Sequence, residues 1–484
     1  MMKRKLIYAT FLAAIISLAS CSSDNDPATP VEPDGGNGGE NPTTQPQALD
    51  LNAYKNGQGV MMQTFYWDVE PRGDWWNVIN DHIEDWADAG VDRLWFPVAS
   101  KGQSGGYSMG YDPSDYFDFG EFNQHGTVET RFGSRAELEN AISNAHAHDM
   151  EVIADIVINH NSGGGLQYNP YRDYDTYTLF DEAHGNASGM FNRTYEDFYP
   201  NSVNNYLDNS LFYEETNLDH HRDNVKKWLW EDENSVAKYY QRELKFDGWR
   251  FDYVQGFSPD VIKQWMAASG PNNFAVAENY DGNAQNLIKY VEEAGISAFD
   301  FACFYRLEEA LDRNNDLSIL GGGMLRKTYP NKAVTFTANH DTEKDTNQDN
   351  NISAGNKMKA YAYILTHDGY PTIFYSDYEN AAFQDELKNL MLIHNSLATG
   401  EVEVLYNDND EYIMKRKGSG SNPGLILYMN TNSNTKRREV NSTWNGKKLM
   451  DYSNKTSYSP MVAADGTVSL EAPANSYSIY SIME

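Results

Sequence analysis

Eight short runs of apolar and β-branched residues punctuate the chain: GVMMQTFYW (59–67), VDRLWFPV (91–98), EVIADIVINH (151–160), FDGWRFDYV (246–254), NFAVAENY (273–280), ISAFDFA (296–302), AVTFTANHD (333–341) and YPTIFYSDY (370–378). Such runs suit strands buried on both faces. Between them lie amphipathic stretches of helical period, among them SRAELENAISNAHAHDM (134–150) and DNVKKWLWEDENSVAKYYQREL (223–244). Eight strands alternating with helices predict an α/β fold, a parallel (β/α)8 barrel, over residues 50–160 and 225–399. The spacing breaks once. Residues 161–224 are rich in Gly, Asn, Asp and Tyr without helical period, and read as a small domain inserted after strand three. From residue 400 the pattern becomes EYIMKRKG, GLILYMN and SYSIYSIME, alternating strands with turn residues between, which predicts a C-terminal all-β sandwich domain over 400–484.

The N-terminus follows another logic. MMKRK supplies a basic start, LIYATFLAAIISL an apolar run and LASC a small-residue end, so residues 1–20 read as an export signal. LASC resembles a bacterial lipobox, in which Cys21 becomes the lipidated first residue. Residues 21–49 are acidic, rich in Pro, Gly and Asn, and read as a flexible tether. The acidic run after Cys21 resembles the surface-export signals of Bacteroidetes lipoproteins, so the expected location is the outer membrane and the cell surface. Only Cys303 accompanies Cys21, which leaves no intrachain disulfide in a lipidated chain. The formal net charge of −32 argues against nucleic acid or an anionic bilayer surface as the main partner and is compatible with a neutral polymer. No repeat or heptad suggests self-association, so a monomer is expected.

Strand four poses the chemical question. Arg250 and Asp252 are two residues apart and share one face, while Trp249, Phe251 and Tyr253 take the other. Buried charge is costly unless paired, so the plain explanation is a structural ion pair. In a parallel barrel, however, the strands' C-terminal ends carry the active site. Asp155, His160, Arg250, Asp252, Glu278, His340 and Asp341 all fall there. Cleaving a glycosidic bond with retention needs a carboxylate nucleophile and a second carboxyl group as acid and then base, ~5–5.5 Å away. A neighbouring negative charge keeps that acid protonated. On this reading Asp252 is the nucleophile, Glu278 the acid/base, and Asp341 holds sugar hydroxyls in the distorted ring. Arg250 keeps the nucleophile ionised, while His160 and His340 hydrogen-bond the same sugar.

DIVINH, GWRFDYVQG, AENYDG and FTANHD resemble, in order, the four sequence regions of the α-amylase family, glycoside hydrolase family 13. Residues 100–134 further resemble the branch holding archaeal and plant α-amylases. The likeness runs from about Asn52 to the C-terminus. It implies Asp252, Glu278 and Asp341 as catalytic carboxylates, supported by Arg250, His160 and His340. It also implies Tyr111 stacking on the sugar before the scissile bond and Trp67 lining that pocket, although either could simply pack the barrel mouth. Gln255 stands where relatives usually carry a lysine contacting sugars on the leaving-group side. For Ca²⁺ the resemblance implies Asn159, the Gly256 carbonyl and an insertion residue. That residue is Asn217 where Asp is expected, and the lost charge should weaken binding. Asp208 could add a carboxylate; a plain loop role is as good an explanation for Asn217 and Asp208. The implied activity is an endo-acting, retaining α-1,4-glucan hydrolase on starch or maltooligosaccharides. A transglycosylase would share every residue, and a non-catalytic glycan-binding lipoprotein would share the fold. A barrel metallohydrolase is disfavoured because MMQTFYWD, on strand one, has no histidine pair.

Overall fold

The computed structural model describes residues 46–54, 59–206, 215–344 and 351–484, so Cys21, the export signal, most of the tether and Asp208 lie outside the described residues. All eight expected barrel strands are present: β1 (Val60–Gln63), β2 (Val91–Trp95), β3 (Glu151–Ile156), β4 (Gly248–Phe251), β5 (Ala275–Ala277), β6 (Ser297–Phe299), β7 (Ala333–Thr335) and β8 (Tyr370–Phe374). They pair in parallel in sequence order, and β8 closes on β1. Each is shorter than its apolar run. The residues cut off at the C-terminal ends include Trp67, His160, Asp252, Glu278, His340 and Asp341, which leave the ladder to form the rim.

The two faces of β4 separate as its alternation requires. Trp249 and Phe251 point outward and meet Trp265, on helix Pro259–Ser269, edge-on at 5.4 and 5.6 Å. Arg250 lies between them in sequence and takes the inner face, fully buried. Its Cα partner across the ladder is Asp155 of β3.

Helix Arg135–Ala147 starts where the sequence says it should. Ser134 and Glu137 form a reciprocal capping box that satisfies two N-terminal amides. The amphipathic stretch 223–244 is not one helix. It splits at Asp232–Ser235, where Asp232 Oδ1 accepts from Asn234 N at 2.9 Å. Such local side-chain bonds compete with the helical ladder.

Between β3 and β4 the insertion carries an antiparallel hairpin, Gly165–Asn169 with Tyr174–Leu179. Its return strand runs back along the end of β3: Asn161 N donates to Thr216 O (3.1 Å) and Leu218 N to Asn159 O (3.0 Å). Arg193, 1% exposed, fastens this junction. Its guanidinium donates to Asn161 Oδ1 and to the carbonyls of Ser114 and Phe191, and lies over Phe180 and Trp228.

The C-terminal strands are β9 (Val402–Asn407), β10 (Glu411–Arg416), β11 (Leu425–Asn430), β12 (Lys436–Asn441), β13 (Leu449–Asp451), β14 (Thr467–Ala472) and β15 (Ser476–Ile482). They form a five-stranded sheet, β9-β10-β11-β15-β13, and a pair, β12-β14. Ile413, Ile426 and Tyr428 from the first pack with Val440, Val468 and Leu470 from the second, the core of a β-sandwich.

Candidate active site

Arg250 organises the rim. Its Nη1 donates to Asp155 Oδ1 and to Asp252 Oδ1, both at 2.8 Å, and Nη2 lies 2.6 Å from Glu278 Oε1. The last contact is close but not aligned as a hydrogen bond, so both atoms keep hydrogen-bonding capacity. Asp155 is held from three sides, because Tyr111 OH (2.9 Å) and Trp95 Nε1 (3.0 Å) both donate to its Oδ2. The ion pair suggested by the sequence therefore exists, but Arg250 serves three carboxyl groups.

The carboxyls differ in access. The Glu278 side chain is 8% exposed, Asp252 13% and Asp341 37%. Burial, followed by the charges of Asp252 and Asp341, pushes the Glu278 pKa well above the usual carboxylate range against the pull of Arg250. Burial also raises Asp252, where Arg250 again opposes and Asp341 adds to the rise. A hydrogen bond from Glu278 lowers Asp252. One cation among four carboxyls thus leaves the proton on Glu278 and the charge on Asp252. Asp252 meets Nη1 and Glu278 meets Nη2 of the same guanidinium, so Arg250 holds the two carboxyl groups side by side.

The backbone after Asp252 is strained. Tyr253 has φ +40°, a left-handed conformation that a bulky residue adopts at a cost of about 1–3 kcal/mol. This turn directs Tyr253 N at Glu278 Oε2, 3.2 Å away.

An aromatic wall faces these groups. The His340 ring lies nearly parallel to Tyr111 (5.2 Å, 5°) and to Trp67 (6.0 Å, 10°). Gln63 Nε2 donates to His340 Nδ1 at 2.9 Å, which leaves the imidazole proton on Nε2, 3.4 Å from Asp341 Oδ2. His160 is engaged within the protein at the same rim. It is 3% exposed, and its Nε2 donates to the Tyr111 carbonyl at 2.9 Å while burial pushes its pKa to about 4. It fastens the loop carrying Tyr111. Gln255 is exposed, with Nε2 3.5 Å from the Tyr280 carbonyl, two residues beyond Glu278.

Sequence reasoning misses Gln63 and Trp95 and gives Asp155 no role. The available signal was register: Gln63 pairs with Trp95, and Asp155 with Arg250. The parity of one strand does not reveal that pairing.

The residues named for calcium do converge. Asn159 Nδ2 lies 3.4 Å from Asn217 Oδ1, and Asn159 Oδ1 sits so close to Gly256 that a Cβ there would meet it at 1.9 Å. Asn217 Nδ2 is buried without a partner. These donors are all neutral, and no cluster of three or more His, Cys, Asp or Glu suited to a metal occurs among the described residues. By themselves they do not fit a tightly held Ca²⁺.

A family model described as Alpha-amylase C-terminal matches residues 425–481. The chain is 27% identical over 497 residues to the glucan 1,4-alpha-maltohexaosidase of Bacillus sp. (strain 707), covering 89% of this chain and 94% of that one. The chain is similar to proteins named alpha-amylases. The Bacillus licheniformis alpha-amylase is 26% identical over 492 residues, covering 88% of this chain and 94% of its own length. The same fold occurs in the crystal structure of an Anoxybacillus alpha-amylase, with TM-score 0.66 and 17% identity, over 88% of this chain and 98% of that one.

Proposed function

We propose that the chain is an endo-acting, retaining α-1,4-glucan hydrolase that degrades starch and maltooligosaccharides. The observation that carries the mechanism is Arg250 shared among Asp155, Asp252 and Glu278, with burial and the neighbouring carboxylates raising the Glu278 pKa well above the usual range. The glucan substrate is supported by relatives named as alpha-amylases and a maltohexaosidase along nearly the whole chain. The similarity of residues 100–134 supports the finer placement in the archaeal and plant branch.

Asp252 attacks the anomeric carbon while Glu278 gives its proton to the departing glycosidic oxygen. The bond to the leaving sugar breaks as that to Asp252 forms. Glu278, now ionised, takes a proton from water, which attacks the same carbon and releases Asp252. Asp341 and the Nε2–H of His340 hold hydroxyls of the reacting ring, and Tyr111 and Trp67 supply its apolar wall. Calcium, where bound, would be held by Asn159, Asn217 and the Gly256 carbonyl at the insertion junction; no chemical step uses it. LASC supports a lipid anchor on Cys21.

Replacing Asp252 by Asn preserves shape and removes the nucleophile. Turnover of maltoheptaose should fall by at least about 10⁴-fold with the thermal midpoint within a few degrees. Wild-type-like turnover would overturn the assignment.

A further inference from the structure

Four of the ten exposed large apolar side chains among the described residues lie in the fifteen-residue hairpin 165–179: Leu166 (54%), Tyr168 (54%), Tyr174 (44%) and Tyr177 (55%). Three share a face. Tyr168 stands directly opposite Asp175, and the ladder brings Tyr177 beside Leu166, while Thr176 and Thr178 turn inward and bond to each other. Hydrogen-bonded pairs of this kind place neighbouring side chains about 5–8 Å apart. Among the described residues neither Tyr168 nor Tyr177 stacks on another aromatic ring, and the Tyr168 hydroxyl is fixed to Asp173 Oδ1 at 2.6 Å. Exposed apolar side chains gathered on one face suit a binding surface.

We propose that this face is a second glucan-binding site, separate from the catalytic groups, that holds a neighbouring stretch of the polymer being cleaved. The chemistry favours a neutral sugar chain. Tyrosine offers a flat apolar ring for the C–H face of a pyranose and a hydroxyl at its edge. Asp173 and Asp175 beside the rings accept from sugar hydroxyls and repel phosphorylated ligands and anionic membranes. The location suits a polymer, since the insertion leaves the barrel at the C-terminal end of β3, the end that carries Asp252 and Glu278. The choice of α-glucan rests on the proposed function.

The test uses the full chain as Asp252→Asn, with and without Tyr168→Ala plus Tyr177→Ala, in affinity electrophoresis through gels containing amylopectin or dextran. Amylopectin should retard the parent, dextran should not, and the double substitution should weaken retention roughly tenfold, the loss of two aromatic contacts. In the active background, maltotriose turnover should stay within about twofold, since neither tyrosine belongs to the catalytic groups. Unchanged retention would overturn the proposal. So would a wild-type dimer that the substitutions dissociate, which would make the face a contact between copies. Retention by amylopectin in a wild-type chain that cleaves no glucan would sink the proposed activity and leave this site standing.

Discussion

Arg250 touches three carboxyl groups while a fourth, Asp341, stands more open to solvent, so protonation at the rim is a contest within one cluster. Asp341 raises both Glu278 and Asp252. Removing its charge should therefore lower both pKa values. A general acid works below its pKa and an ionised nucleophile above its own. Asp341→Asn should accordingly shift both limbs of the residual kcat/KM profile to lower pH. A profile merely scaled down, with both limbs unmoved, would mean that Asp341 holds substrate without tuning its neighbours. The rim position of Asp252, Glu278 and Asp341 was legible because they sit at strand ends within distinct motifs. Gln63 and Trp95 were not legible, because their partners are set by neighbouring strands.

At the scale of elements, the insertion junction sets neutral amides beside a buried cation. Asn159 and Asn217 meet as neutral amides, and Arg193 supplies a fixed cation a few residues away in the fold, with carbonyl and amide acceptors and two aromatic faces. Lysine cannot reproduce a forked guanidinium, so Arg193→Lys should destabilise the chain by about 2–4 kcal/mol, read from chemical denaturation. Chelation should move the thermal midpoint little, because the described donors bind calcium weakly. A large drop with EDTA, restored by calcium, would show that a carboxylate beyond the described residues completes a tight site. The eight strands were readable from their apolar runs, and their shortening has a physical cause. A polar residue that must face a ligand leaves the ladder, and periodicity does not distinguish the last paired residue from the first unpaired one. The break at Asp232–Ser235 was foreseeable from its Asp, Asn and Ser, but the hydrophobic period on either side outweighed it.

For the whole molecule, one end of the barrel gathers the carboxylates, the aromatic wall and the insertion, while the β-sandwich follows as a separate layer of sequence matched to the Alpha-amylase C-terminal family. A chain tethered through Cys21 would act on polymer outside the cell, and Cys21→Ser should release it from membranes into the soluble fraction without loss of turnover. The sequence made the architecture plain because alternating strands and helices tolerate few other arrangements. It did not show the exposed face of hairpin 165–179, because tyrosines in an irregular insertion look alike until the pairing register assigns them sides.

The central claim is retaining hydrolysis by Asp252 and Glu278 at an α-linkage. It is tested most directly by incubating the full chain with maltoheptaose while proton NMR follows the anomeric signals of new reducing ends. The α-anomer should appear first and then relax toward the equilibrium mixture. First appearance of the β-anomer, or no cleavage by a folded protein supplied with calcium, would contradict the mechanism.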